Sequence, residues 1–577
     1  MKYVWKARDF FYNNGIVNLF WATQQTYDLP YLESENGLML KSDNGLVLTL
    51  LPNQMMIEGN EADIKEWYLK ISRFFIRLGL EETPRLVFDK NSKSLKEGFS
   101  YKQRPFTYRI WGTAIGSKLI SSPSLDKNIS KNLVRHALKS YLEKSGKDLN
   151  ELDKKGLFKK KWEKEGVYVQ VSFQTIFENL LKNRHQFKNS DKEKCEICGS
   201  NITRYNGETY KRDSQTYPTV IGLGYSGFKE FMHPEKMVVC AFCDIALRYN
   251  FFWSFYAGGK MNILLHLDFP DLISLYRLKA EVFDIKMENT TNIDQATNIP
   301  FPDIKYFVSP ERAIIGLALY VTKRITSEAS FAIDYVTGEK GNFLKIVSFY
   351  FDSTQIKGLT EYNKFNRLVQ WLSQLHPKAI SKPLRNNSFR INSRNNQYLI
   401  ETEFLRNLIE FKDVSASLAE IAFLKIRGEK IKNATTSQSI SPYPLDSDFE
   451  DLIVSFYKNI EEPIMNENHL QLLKDYGWAL GTLAKEVDDL SIFYELREAK
   501  KLDHVLNVLR NFSFKLLRSE QSILNSNDYV KSALARFVGK DLEIVKLFEE
   551  MKDQWMKARD LLLFFAVNNY LKKYNTK

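Results

Sequence analysis

Hydrophobic positions recur along this chain in two rhythms, and the change from one to the other divides it. In the first three quarters, short runs at 46–51, 167–173 and 346–351 alternate apolar and polar residues. Successive side chains of an extended strand point to opposite faces, so these runs read as strands. Residues 64–78 and 132–144 instead place apolar side chains at three- and four-residue steps, the spacing of a helix with one buried face. Two polar stretches poor in large apolar residues, 287–302 and 432–444, interrupt this mixed pattern. The second, KNATTSQSISPYP, contains two prolines and is the better candidate for a domain boundary.

Beyond that boundary the pattern is helical throughout. Leu502, Val505, Leu506, Leu509, Phe512 and Leu516 share one helix face, the stripe that packing would bury. Lys500, His504, Asn507, Asn511, Lys515 and Arg518 follow the same period on another face and form a polar, largely basic ridge. Asp528 is placed to cap a following helix over 529–538, which adds Lys531, Arg536 and Lys540. Such a ridge suits a phosphate backbone, and it is equally what a solvated helix face looks like. The expected fold is therefore α+β: an N-terminal domain at 1–190, a four-cysteine subdomain at 191–250, the rest of the α+β body at 251–435, a linker at 436–445 and a helical bundle at 446–577. No internal repeat of solenoid or propeller length is present.

At 577 residues the chain exceeds the roughly 250–300 residues at which single cores stop growing, so more than one core is expected. Lys and Arg number 82 against 70 Asp and Glu, a formal charge of +12 that favours an anionic partner without naming it. Residues 1–20 alternate charge with aromatics and lack the apolar core of a signal peptide, which points to the cytosol. The longest late apolar run, 561–567, is far shorter than the ~20 residues a bilayer span needs and reads as part of an amphipathic helix.

The four cysteines of the chain form two pairs, Cys195-Glu-Ile-Cys198 and Cys240-Ala-Phe-Cys243. A Cys-x-x-Cys turn converges two thiolates on one metal edge, and two such knuckles supply the four soft ligands of a tetrahedral zinc site. Four protein ligands leave no position for water, so the expected Zn2+ is structural. Disulfides are disfavoured in a cytosolic chain, a redox pair needs only one motif, and an iron–sulfur cluster also accepts four thiolates.

The segment between the knuckles starts with Arg204, Tyr205, Tyr210, Lys211 and Arg212 and ends in a turn, Gly222-Leu-Gly-Tyr-Ser-Gly227. The turn matches the letters of a dinucleotide fingerprint, but the second knuckle follows too soon for a strand–helix–strand unit of ~30 residues. Gly222, Gly224, Tyr225 and Ser226 can instead bring backbone close to a base edge while Arg204, Lys211 and Arg212 meet phosphates, or they can form a tight structural turn. Residues 154–164 mix lysines with Phe158 and Trp162, and Arg385, Arg390 and Arg394 lie in an Asn-rich loop with the usual donors to phosphates and bases. No Walker loop, His-Glu-x-x-His helix or Gly-x-Ser-x-Gly elbow is present. A zinc-stapled nuclease would need more than His233, the one histidine between the cysteine pairs. That nuclease and a metal-stabilised protein-interaction module are the alternatives to a non-enzymatic nucleic-acid-binding chain.

A mixed N-terminal domain opening with Phe11-Tyr-Asn-Asn-Gly-Ile16, a four-cysteine insertion and a helical tail together resemble the large subunit of a type I-B CRISPR interference complex, Cascade. The resemblance implies a non-catalytic antiviral-defence subunit that works with crRNA, Cascade backbone and small subunits. It further implies that the chain recognises the protospacer-adjacent motif in double-stranded DNA, helps open the duplex, stabilises the R-loop and recruits a separate helicase-nuclease. Guide pairing then reads the sequence, so the protein needs only shape, phosphate and a few base-edge contacts. In such complexes the tail lines the displaced single strand, and the ridge from Lys500 to Arg518 is the expected track.

Overall fold

The chain is described from a computed structural model over residues 1–34, 36–89, 92–103, 131–155, 157, 188–204, 210–212, 237–250, 252–257, 262–283, 285, 291–292, 310–327, 336, 338–352, 355–375, 397–432, 447–460 and 465–572. It divides into two compact units. The first comprises Met1–Ala296, Ser330–Tyr335 and Phe343–Glu361, and the second Thr297–Ala329, Val336–Asn342 and Tyr362–Lys577. The strand run expected at 167–173 lies outside the described residues.

In the first unit, β1 (Lys2–Lys6), β2 (Leu32–Ser34), β3 (Gly37–Lys41), β4 (Val47–Leu51) and β5 (Gln54–Glu58) form an antiparallel sheet in the order β1-β5-β4-β3-β2. The alternation read at 46–51 is the pleat of β4: Leu48 and Leu50 are buried, and the residues between them are partly exposed. Between β1 and β2 runs α1 (Phe10–Tyr27), capped by the Asp9 carboxylate, which accepts from the Phe11 and Tyr12 amides at 3.0 Å each. Helix α2 (Glu61–Gly79) covers the predicted 64–78 stretch.

Further along, β6 (Leu80–Asp89) and β7 (Ser94–Gln103) form a hairpin. Leu86, Phe88 and Leu95 of this hairpin share a small core with Ala137 of α3 (Lys131–Ser145) and Leu152 of α4 (Leu149–Lys154). Two short antiparallel pairs follow, β8 (Lys188–Lys194) with β9 (Asn201–Arg204), and β10 (Tyr210–Arg212) with β11 (Met237–Val239). After α5 (Ala241–Tyr249), a second sheet is built on β12 (Phe255–Ala257) and β13 (Asn262–Asp268). Beside them lie α6 (Leu272–Arg277), a π-helical turn (Leu278–Val282) and the short β14 (Thr291–Asn292), which runs parallel to β12. Strand β15 (Lys345–Asp352), which contains the predicted 346–351 run, pairs antiparallel with β13 and is followed at the sheet edge by β16 (Gln355–Tyr362).

Every residue of α1 from Phe11 to Thr23 is buried, including three asparagines. A buried amide calls for partners, and the Asn14 and Asn18 side-chain nitrogens find them, while the Asn14 oxygen has none among the described residues. Asn14 donates to the carbonyls of Phe10 and Leu267 at 2.8 and 2.7 Å. Asn18 donates to those of Tyr249 and Phe252 at 2.9 and 2.6 Å, and its oxygen accepts from the buried Lys279 ammonium position at 2.7 Å. Burial pushes that lysine well below its ordinary range. Between the two asparagines, a Cβ on Gly15 would sit 2.3 Å from the Ala246 carbonyl oxygen, so α1 and α5 meet backbone to backbone. The segment at 11–16 thus has a packing function within this chain.

Apart from Tyr362, the last residue of β16, the regular elements described in the second unit are all helical. The unit contains α7 (Pro310–Ser327), α8 (Phe365–Ser373), α9 (Gln397–Ile409), α10 (Ser415–Lys432), α11 (Ser447–Asn459) and α12 (Glu467–Glu486). Then come α13 (Ser491–Glu498), α14 (Leu502–Arg518), α15 (Glu520–Leu524), α16 (Asp528–Glu550) and α17 (Trp555–Leu571). Helix α17 is central: every residue from Leu561 to Asn569 is buried, with α10 and α12 packed on it. The apolar run at 561–567 is therefore enclosed on all sides, where an amphipathic helix was expected. No helix among the described residues is long and apolar enough to cross a membrane.

The units divide elsewhere than composition suggested. The polar stretch at 432–444 joins α10 to α11 inside the second unit, because α10 packs on α17 across it. The first passage between units, at Ala296 and Thr297, falls in the other polar stretch. Four helices expected in the α+β body, α7 to α10, thus belong with the bundle.

Candidate metal centre

Both knuckles sit at chain reversals that the local sequence dictates. Between β8 and β9, the Cys195 amide donates to the Ser200 carbonyl and the Gly199 amide to the Cys195 carbonyl, each at 2.8 Å. Gly199 takes the left-handed conformation this tight turn needs, with φ of 70°. The second knuckle leads from β11 into α5. Cys240 is the N-cap, its sulfur accepting from the Cys243 amide at 3.4 Å, so both thiols lie at the positive end of a helix.

The four sulfurs lie within 4.8 Å of one another, and the set could hold a metal ion. Zn–S bonds of ~2.3 Å at tetrahedral angles imply sulfur–sulfur edges of roughly 3.8 Å. Cys198 and Cys240 Sγ are 3.8 Å apart. None of the four is disulfide-bonded, and three of them are buried, with Cys198 partly exposed. Packed this closely, the thiols cannot all ionise unaided. Hydrogen bonds from Cys195, Cys240 and Cys243 hold Cys198 well below the usual thiol range, while burial and then its neighbours push Cys243 up. A central cation removes that conflict, because it lets all four exist as thiolates.

The first residues of the chain complete the site. The Tyr3 hydroxyl lies 3.3, 3.1 and 3.2 Å from the sulfurs of Cys198, Cys240 and Cys243, capping the face they define. Tyr12, at the start of α1, brings its hydroxyl to 3.1 Å from Cys243 Sγ. Burial and then the charge of Cys243 hold both phenols well above their ordinary range, so they stay protonated and able to donate. The Cys240 amide supplies a bond to Cys195 Sγ at 3.3 Å. Around them, Trp5 Nε1 donates to the Phe242 carbonyl at 3.0 Å, Tyr3 stacks on Phe242 with centroids 4.3 Å apart, and Arg8 donates to the Ile197 carbonyl at 2.7 Å. Four thiolates on one ion would fill a tetrahedral shell, so a zinc held here would crosslink the two knuckles.

Hydrogen bonds to ligand atoms tune metal affinity, and losing such a partner typically lowers it by ~10–100-fold. Tyr12→Phe removes the hydroxyl and keeps the ring. Its metal affinity, measured by competition with a chromogenic chelator, is expected to fall about tenfold with the fold retained. An unchanged affinity would mean that Tyr12 only packs.

Of the residues assigned to nucleic acid from sequence, Gly222, Gly224, Tyr225, Ser226, Arg385, Arg390 and Arg394 lie outside the described residues, as do His233, Phe158 and Trp162. Arg204, Lys211 and Arg212 are described in backbone only, in β9 and β10, with Lys211 opposite Val238 and Arg212 opposite Met237. In the second unit, Val505, Leu509, Phe512 and Leu516 of α14 are buried, and the whole row Lys500, His504, Asn507, Asn511, Lys515 and Arg518 is exposed. Lys515 is already engaged, 2.8 Å from Asp489. Arg536 lies 3.4 Å from Asp475 and over the Trp478 ring, and Lys531 is 3.9 Å from Asp528. Asn527, not Asp528, caps α16: its side chain accepts from the Val530 amide at 3.0 Å. The helix then runs past the expected end at Val538, through Gly539, to Glu550, since burial of Ile544, Leu547 and Phe548 outweighs one glycine.

Compared with protein families and with curated proteins, this chain matches no family model and no curated sequence.

Tyr3, Trp5 and Arg8 were not singled out from sequence, and Tyr12 entered only within the 11–16 segment, with no link to the cysteines. The available signal was local: three asparagines and a glycine in an otherwise apolar helix directly after an aromatic strand.

Proposed function

We propose that this protein is a non-catalytic, nucleic-acid-binding subunit with one structural zinc ion, acting in the cytosol as the large subunit of a type I-B Cascade. The observation that carries nucleic-acid binding is the exposed row on α14, which presents His504, Asn507, Asn511 and Arg518 to solvent along one helix face, with the exposed Lys500 two residues before the helix begins. A basic and amide-bearing row of this kind tracks a phosphate backbone through counterion release and carries no sequence code. The saturated four-thiol cluster supports a scaffold role, since an ion held by four protein sulfurs offers no open coordination site. The Cascade assignment rests on the four-cysteine insertion and the helical second unit. On this reading the chain reads the protospacer-adjacent motif, the second unit follows the displaced strand, and a recruited helicase-nuclease does the cutting.

Reversing Lys500 and Arg518 together to Glu is the test. DNA retention is expected to weaken at every sequence alike. The log–log salt slope is expected to shrink by roughly 0.7–0.9 for each phosphate that the variant no longer neutralises. Lys515→Glu alone is a weaker probe because Asp489 already occupies Lys515. An unchanged slope in the double variant would remove α14 as the track. Plasmid cleavage by the purified chain with divalent metal would overturn the non-catalytic assignment.

A further inference from the structure

Leu542, on α16, is 78% exposed, and Val538, one turn before it, is 66% exposed. Both belong to a longer stripe. Lys531, Ala535, Val538, Leu542, Val545 and Glu549 follow at alternating steps of four and three residues along one face of α16, and all but the half-buried Val545 are exposed. The opposite face, with Val530, Ala533, Phe537, Ile544, Leu547 and Phe548, is buried within the unit. A heptad-spaced apolar stripe on a helix whose other face is already packed is the seam that a second helix covers.

The charges at its ends say which helix. When two copies of α16 run antiparallel about a twofold axis centred at position 540, Val538 faces Leu542 of the second copy and Ala535 faces Val545. Lys531 at one end then faces Glu549 at the other, and each contact occurs twice. An in-register parallel pairing would set lysine against lysine and glutamate against glutamate. Within its own chain Lys531 approaches Asp528 only at 3.9 Å, which leaves its ammonium able to turn to a closer carboxylate. We infer that this face of α16 is an isologous dimer interface whose occupant is the same face of a second copy of this chain. A seam this small buries well under the ~1,200–2,000 Å² of a standard interface, so the dimer is weak and forms in the micromolar range.

Sedimentation velocity of the full chain across the micromolar range tests this, independently of metal content and nucleic-acid binding. The wild type is expected to show a concentration-dependent monomer–dimer equilibrium, and Leu542→Glu to remain monomeric with an unchanged circular-dichroism spectrum. Lys531→Glu and Glu549→Lys should each weaken association about tenfold, and the double variant Lys531→Glu/Glu549→Lys should restore it, since only a second copy bearing the same exchange can re-form the pair. A monomer at every concentration, a dimer indifferent to Leu542→Glu, or a double variant as weak as the singles would each overturn the inference. The first of these would leave the stripe to a helix of another protein.

Discussion

Cys240→Ser is expected to release the metal and unfold the first unit. Zinc in small structural sites contributes about 10–16 kcal/mol at neutral pH, comparable with the whole ~5–15 kcal/mol stability of a domain. Here the loss also propagates. Cys240 caps α5, α5 meets α1 backbone to backbone at Gly15, and the site's Tyr3 and Tyr12 belong to β1 and α1. Loosening the knuckle therefore releases the helix and the strand on which the rest of the unit is built. Metal content below one-tenth of the wild type, with rapid proteolysis across the first unit, is the expected result. A variant that keeps its metal and resists protease would show that three thiolates suffice and that packing holds the unit together.

The second large effect separates the two units. A Cβ on Gly481, in α12, would lie 2.0 Å from the Ala566 carbonyl oxygen of α17. Backbone cannot yield as a flexible side chain would, so Gly481→Ala must push the two central helices of the second unit apart. A destabilisation of ~3 kcal/mol or more is expected, at the upper end of what overpacking produces. The metal should stay bound, because its ligands all belong to the first unit. Gly15→Ala, placing a Cβ 2.3 Å from the Ala246 carbonyl oxygen, should have the converse outcome, with metal lost early in a melt while the helical unit persists. Thermal unfolding followed with a zinc-sensitive dye reads both. Loss of metal in Gly481→Ala at the unfolding of its own unit would mean that the two units unfold as one.

What could be read from sequence was what depends on near neighbours. Cys-x-x-Cys is a local device, so the grouping of the four cysteines was legible without the fold. The stripe of α14 was legible because three- and four-residue steps settle which face a helix buries. The phenols over the sulfurs were not, because Tyr3 and Cys240 lie far apart in sequence and only the fold sets β1 against the second knuckle. Composition also misplaced the unit boundary: a Ser- and Pro-rich segment marks a loop, but whether the helices around it pack together depends on α10 meeting α17. The apolar run in α17 read as one face of an amphipathic helix for a similar reason, since a helix enclosed on all sides and one packed on one side differ only in what surrounds them.

The account depends most on a single ion closing the two knuckles. X-ray absorption at the metal edge, with the metal-to-protein ratio measured on the same folded sample, tests it most directly. One zinc per chain with four sulfur neighbours at ~2.3 Å and no oxygen in the shell is the predicted result. A natively folded chain without metal, or a zinc carrying a water in place of one sulfur, would contradict it.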